Sequence, residues 1–400
     1  MGFIKELYSE GINYIDKYVC DECLEDYAIK KHIQENVVSE TCDYCDETSD
    51  EKAIAAPLHV VVEFILEGIR YEWDEPVNEM GWCSEDGGWI GAIITDTDDI
   101  ISYRLDLGIR HDELRKDIIR SINIYEWCQR NPYGLPPEEE MLCSWNDFAD
   151  QIKYQIRYVF FRAKRQGEND VLKRRQPYAI LNTIGKVVNE LSLIRPLLVG
   201  TELIRARASE KRLPLTVKEL GPPSCDKAIY SNRMSPAGIP MFYGSFDETT
   251  AISETKNKAT KYLTVATFKT IRAFKILDLT QLPDFPSLFD ESRRHLRAPL
   301  IFLRAFLTDF SKSIEKDGRE HIDYVPTQVV TEYFRHIFRD EARDIVRGII
   351  YPSARRKKER SCVLFFEEED CMQDTVINET VQDKWLSLIT SSVKTIRKRN

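Results

Sequence analysis

Two Cys-x-x-Cys pairs, Cys20-Asp-Glu-Cys23 and Cys42-Asp-Tyr-Cys45, stand with eighteen residues between them. Each pair places two thiolates on one side of a tight turn, and two such pairs close a tetrahedral metal site. The spacing therefore predicts a structural zinc module with Cys20, Cys23, Cys42 and Cys45 as ligands. Four protein ligands leave no open position for water, so the metal is expected to fold the N-terminus rather than to catalyse. The intervening LEDYAIKKHIQENVVSET has helical apolar spacing and neither Pro nor Gly, which predicts a helix between the hooks. Cys83, Cys128, Cys143, Cys225, Cys362 and Cys371 are scattered and read as small buried side chains.

The charge is unevenly spread. The formal net charge is −10, the remainder of a strongly acidic stretch over residues 1–150 and a basic one over residues 151–400. An acidic front repels a phosphate backbone and argues against general nucleic-acid binding, whereas the basic rear suits a phosphorylated ligand or docking on the acidic front. No run of eighteen apolar residues is present, which predicts no membrane span. The opening MGFIKELYSEG lacks the charged-then-apolar order of a secretory signal, and Glu6 stands where a myristoylation signal has Ser or Thr. A cytoplasmic protein with reduced cysteines is expected.

At 400 residues and 42% hydrophobic content the chain exceeds one core. Helical apolar stripes run over residues 51–71, 112–129, 145–164 and 170–193, separated by turn-rich stretches such as SEDGG and RNPYGLPPEEE. They predict an all-α middle domain, and its place and helix pattern are similar to HEPN-type helical domains. Catalytic HEPN ribonucleases carry an Arg followed four to six residues later by His. Arg104 and His111 have six residues between them, but in a strand-like or turn segment. The pair is read as coincidence and the domain as a sensor, adaptor or self-association surface.

Near residue 200 the periodicity changes. TELIRARAS, MFYGSF, YLTVATFKTIRAFKILDL, IVRGIIYPS and SCVLFFE are short and mostly rich in β-branched or aromatic residues, and helical runs at 297–315 and 327–338 interrupt them. Strands and helices without strict alternation predict an α+β fold. No glycine-rich dinucleotide fingerprint or P-loop is present, so a nicotinamide cofactor would be a substrate rather than a hydride carrier on a Rossmann domain.

Within this half, Arg233 precedes Tyr243 by ten residues and Glu254 follows it by eleven. A cation, an aromatic and a carboxylate are thereby predicted around one strand-helix corner. This segment resembles the signature of the RES domain, a family of toxin-like modules related in fold to ADP-ribosyltransferases and known to degrade NAD. Four further stretches agree in order: Leu203-Ile-Arg205-Ala-Arg207, Val325-Pro-Thr-Gln328, Gly348-Ile-Ile-Tyr-Pro-Ser353 and Cys362-Val-Leu-Phe365. Many members have Gly before the arginine and Trp-Asn after it, where this chain has Asn232 and Met234-Ser235.

The resemblance implies a multidomain chain: a four-cysteine zinc module over residues 1–50, a HEPN-like domain over 51–194, a RES domain over 195–380, and a basic helix or tail over 381–400. It implies cleavage of the nicotinamide-ribose bond of NAD by Arg233, Tyr243, Glu254 and Ser353. The leaving nicotinamide is neutral and the ribose oxocarbenium-like, so a carboxylate such as Glu254 would stabilise the developing cation. Arg233 and Arg205 would hold the pyrophosphate, Tyr243 would stack on nicotinamide or bond the ribose, Ser353 would bond the amide or a hydroxyl, and Gln328 would position chain or ligand. The favoured activity is that of an NAD glycohydrolase or phosphorylase, a restrained toxin or defence effector. An ADP-ribosyltransferase acting on a macromolecule and a catalytically silent zinc/HEPN adaptor are the alternatives. Such an enzyme needs restraint, and the acidic front half, a separate antitoxin or activator, or self-association are the expected sources.

Overall fold

The computed structural model describes residues 11–397 except 86, 106, 160–178, 256–259, 312–317, 357 and 376–380. It divides into two compact units, Met1–Pro137 with Asp284–Ala298, and Glu138–Pro283 with Pro299–Asn400.

In the first unit, β1 (Tyr18–Cys20) pairs antiparallel with β2 (Ala55–Pro57). Between them lies α1 (Tyr27–Glu35), started by Asp26, whose carboxylate accepts the amides of Ala28 and Ile29 at 2.9 and 3.1 Å. The long helix α2 (Leu58–Glu72) follows β2 directly and buries Leu58, Val61, Val62, Ile65, Leu66 and Ile69. Their spacing is the apolar stripe read from the sequence. Among the described residues, short strands join the helices. They are β3 (Trp73–Asp74), the hairpin β4 (Trp82–Cys83) and β5 (Gly88–Trp89), β6 (Thr95–Asp96), and β7 (Glu126–Gln129), which lies between β3 and β6. The stripe expected over 112–129 divides accordingly: α3 (Asp112–Ser121) ends eight residues early and β7 takes the last four. Asp117 is buried, pairing with Lys17 at 2.7 Å and accepting the Tyr44 hydroxyl at 3.1 Å. One core embraces the cysteine hooks, α1, α2 and α3, so residue 50 is not a boundary between compact bodies.

The second unit begins with α4 (Pro137–Tyr154) and α5 (Ala179–Glu190), which the sequence grouped with the middle domain. The stripes over 145–164 and 170–193 fall partly outside the described residues. Among the described residues nine strands form one mixed sheet, in the order β15-β16-β11-β9-β10-β14-β13-β12-β8. These are β8 (Ile194–Leu197), β9 (Glu202–Ser209), β10 (Phe242–Ser245), β11 (Tyr262–Thr270), β12 (Phe274–Asp278), β13 (Gly348–Pro352), β14 (Arg360–Leu364), β15 (Cys371–Gln373) and β16 (Leu386–Arg397). Helices α6 (Glu248–Thr255), α7 (Arg297–Ser311) and α8 (Val325–Glu332) interrupt them. The basic helix or tail expected over 381–400 is instead mostly β16, paired over most of its length with β11. Ile389, Thr390, Val393, Thr395 and Ile396 favour an extended chain, and that preference outweighs the basic ending.

Cross-strand partners share a face of a sheet. Phe242 pairs with Leu364, Gly244 and Ile350 with Cys362, and Leu203 with Phe268. These residues, glycine apart, form an apolar core with Phe274, Ile276, Phe366 and Leu388. The opposite face carries the other alternation: Tyr243 opposite Val363, Ser245 and Tyr351 opposite Ser361.

Candidate active site

The polar face of the sheet gathers the chemistry. Ser353 follows the last residue of β13, two positions beyond Tyr351, and strand alternation puts both on the face of Tyr243. Glu254 sits in the last turn of α6. The Ser353 hydroxyl donates to Glu254 Oε1 at 2.5 Å and accepts the backbone amides of Arg355 and Arg356 at 3.2 Å each. Residues 99 positions apart are thus joined by a charge-assisted bond.

Tyr243 lies on this face, and the loop ahead of β10 brings Arg233 within electrostatic reach of it. Gly238 turns that loop with φ of +86°, a conformation that favours glycine. Ser235 and Tyr243 share a hydrogen bond between hydroxyls at 2.9 Å. The loop is clamped from α8. Gln328 Nε2 donates to Ser231 Oγ at 2.8 Å and to the carbonyls of Asn232 and Ser235 at 2.7 and 3.3 Å. Thr327 donates to the carbonyl of Arg233 at 2.5 Å. Gln328 is therefore spent on the loop that carries Arg233, a positioning task, since its two amide protons are committed to chain atoms.

Burial pushes the Tyr243 phenol up to about 12. Tyr351, also buried, is raised well above the ordinary value by burial, with Tyr243 and Glu254 adding to the effect. The positive charge of Arg233 acts the other way on Tyr243, Tyr324 and Tyr351, so the guanidinium is near enough for all three phenols to feel it. Both site phenols are thus neutral donors near pH 7. Tyr351 and Tyr324 were missed in the sequence. The position of Tyr351, two residues before Ser353, was the available signal.

Arg205 is placed elsewhere. It pairs with Ala266, two residues along from the Leu203 and Phe268 pair, and so faces the apolar core. Its guanidinium lies 5.2 Å from the Phe242 ring centroid and donates through Nη1 to the Tyr243 carbonyl at 2.7 Å. Burial, with Arg207 beside it, lowers its pKa to about 10. Arg205 braces the strand that bears Tyr243 from behind. It does not share the face of Tyr243, because strand alternation fixes its side.

In the first unit the four hook thiols converge. The Sγ atoms of Cys20 and Cys23 are 3.6 Å apart, those of Cys20 and Cys45 3.4 Å, and those of Cys23 and Cys42 3.6 Å; all four lie within 4.8 Å of one another. A tetrahedral ion with bonds to sulfur of ~2.3 Å separates its ligands by about 3.8 Å, so the set fits one metal ion. The backbone amide of Cys20 donates to Cys42 Sγ at 3.3 Å. The bond with Cys23, helped by the amides of Tyr44, Cys20 and Cys45, pulls the Cys42 pKa well below the ordinary thiol value. Arg104 and His111 form no such constellation: Arg104 pairs with Asp99 at 3.0 Å, and His111 precedes α3.

Two family models match the chain, HEPN/RES N-terminal domain 1 over residues 35–166 and the RES domain over residues 220–388. No curated protein and no solved structure matches it. The RES match spans Arg233, Tyr243, Glu254, Gln328 and Ser353, and the cysteine cluster lies well ahead of it, at residues 20–45. The chain thus carries a RES domain, preceded by a HEPN/RES N-terminal domain and a four-cysteine cluster.

Proposed function

We propose that the second unit is an NAD glycohydrolase or phosphorylase. A RES domain implies an enzyme acting on NAD. The observation that carries the finer reading is the Glu254 carboxylate bonded to Ser353 on the face shared by Tyr243 and Tyr351. In this reading the bond between ribose C1′ and the pyridinium nitrogen breaks with its electron pair leaving on nicotinamide. Glu254 stabilises the positive charge gathering on the ribose. The oxygen of water, or of phosphate, bonds to C1′; water gives up a proton to Glu254 or to solvent. Arg233 grips the pyrophosphate, where a planar guanidinium makes paired contacts. Tyr243 and Tyr351 offer aromatic surface and a hydroxyl each to the nicotinamide riboside.

The four thiols would hold zinc as a closed structural site, consistent with a reducing cytoplasm. An activity that drains NAD harms the cell that makes it, which suits a restrained toxin or defence effector. The test is nicotinamide release by the purified full chain, compared with Glu254→Ala and Arg233→Ala. Free nicotinamide with unlabelled protein is expected, and phosphate dependence with mass analysis of the ribose product separates hydrolysis from phosphorolysis. Transfer of labelled ADP-ribose to a macromolecule would replace this reading with a transferase. Absence of turnover would favour an adaptor.

A further inference from the structure

Fifteen residues of the RES stretch belong to the other unit. Asp284–Ala298 is part of the body formed by Met1–Pro137. Leu288 and Phe289 are 3% and 4% exposed, inside the core that also holds Cys20, Cys23 and Cys42. The fit is close: a Cβ added at Gly68 of α2 would come within 2.2 Å of the Phe289 ring. The strap is also bound to the helix between the cysteine hooks. Tyr27 of α1 donates its hydroxyl to Asp290 Oδ2 at 2.7 Å and accepts the amide of Ser287 at 3.3 Å. His32 of α1 stacks on Phe64 at 4.1 Å, and Phe64 meets Phe289 at 6.3 Å between centroids. Further along, Arg297 pairs with Glu72 at 3.1 Å.

Both ends of this strap run on along the chain into segments of the second unit. It begins six residues after Asp278 of β12, and Leu277 and Asp278 pair with Ile349 and Ile350 of β13, the strand of Tyr351. It continues into α7 and on to α8, whose Thr327 and Gln328 clamp the Arg233 loop.

We infer that Asp284–Ala298 is a regulatory strap, through which metal loading of the four cysteines sets the order of the RES site. A metal ion closes the two hooks and fixes α1 between them. Fixed, α1 presents Tyr27 and the His32 and Phe64 stack that seat the strap. A seated strap restrains the chain entering α7 and leaving β12. Loss of the metal frees α1, releases Phe289 from beside Gly68, and loosens both ends. The effect on turnover rests on the NAD-cleaving reading; the effect on chain order does not.

The test uses the full chain, metal-loaded or stripped with a chelator, alongside Gly68→Ala and Phe289→Ala. Gly68→Ala leaves the cysteines intact and favours the helix, so its effect is confined to the Phe289 seat. Two readouts are followed: tryptic cleavage after Arg293 and Arg294 within the strap, and hydrogen exchange at the Arg355 and Arg356 amides that bond Ser353. Metal removal and Gly68→Ala are each expected to speed strap cleavage about tenfold or more and to raise exchange at Arg355 and Arg356 severalfold, as local opening does. Phe289→Ala repeats both effects should Gly68→Ala fail to fold. Unchanged cleavage on metal removal overturns the seating, and a freed strap with unchanged exchange at Arg355 and Arg356 overturns the coupling. Nicotinamide release is measured on the same samples. Failure of the metal-loaded wild type to consume NAD would sink the NAD reading while both structural readouts still decide the strap.

Discussion

The Ser353 hydroxyl donates to Glu254 Oε1 at 2.5 Å while two successive backbone amides, of Arg355 and Arg356, donate to it. A hydroxyl so supplied has one direction left for its own proton, toward the carboxylate. Glu254 is therefore held in place by the chain that follows β13. On the NAD reading, Glu254→Gln removes the charge that the ribose cation needs, and kcat for nicotinamide release should fall by roughly 10²–10³. Ser353→Ala keeps the charge but frees the carboxylate, and about a tenfold loss is expected from one charge-assisted bond. Steady-state rates on folded variants check both.

Gln328→Ala should behave differently. Its amide holds Ser231, Asn232 and Ser235, not the carboxylate. Loosening the loop that carries Arg233 is expected to raise KM for NAD severalfold with a smaller change in kcat. Three backbone and hydroxyl acceptors lose their donor, the Ser235 carbonyl in a buried place, so the thermal midpoint should fall by a few degrees, corresponding to about 1–3 kcal/mol. Calorimetry beside the kinetics separates the two.

The two site phenols set an alkaline limit. The Tyr243 pKa is raised from 10.0 to about 12 by burial. A proton held more tightly in the folded state means that stability from Tyr243 is complete below pH 10 and is lost as pH rises through about 12. Denaturant midpoints should decline between these values, and less so in Tyr243→Phe. Below pH 10 no tyrosine ionisation from Tyr243 should shape the rate profile.

Metal analysis of the full chain is expected to give one ion per molecule, lost in Cys20→Ser with Cys42→Ser. The thiols share a core with α1, α2 and α3, so chelation should lower the unfolding temperature of the first unit, not merely bare its surface. An unchanged melting curve after complete metal loss would contradict this.

Removal of residues 1–137 tests the strap from the other side. The remaining chain keeps Leu288 and Phe289 but loses the core that buries them. It should bind a hydrophobic dye and aggregate, and replacing both residues with Ser should restore solubility. The expectation that the front half only restrains the rear predicts instead a well-behaved, more active fragment.

Much of this was legible. The cysteine spacing located the four-thiol cluster, and the strand segments from residue 201 onward appear close to where β-branched and aromatic runs placed them. Arg233, Tyr243, Glu254 and Ser353 were drawn together by motif order. What escaped depends on partners far along the chain. Gln328 was expected to position chain or ligand, and that it serves the chain shows only once Asn232, 96 positions away, is set against it. Arg205 was assigned to the ligand because its charge suits a phosphate, but alternation along β9 turns it to the apolar side. The strap was invisible because Leu288 and Phe289 are a lone apolar pair between prolines and charged residues, with no period to announce a core. The compact units cross the bounds read from the sequence for the same reason, since a core can recruit a distant segment that local pattern assigns to its neighbour.

Tyr27 and Asp290, 263 positions apart, meet in the first unit. On the ribosome, then, the N-terminal core emerges early but stays unfinished, with the seat beside Gly68 empty. It closes only once residue 289 has left the exit tunnel, when β8 through β12 have already been made. A chain interrupted before that point would carry no α8 clamp, no Ser353 and an incomplete core, so a truncated product would be both inactive and a ready substrate for proteolysis.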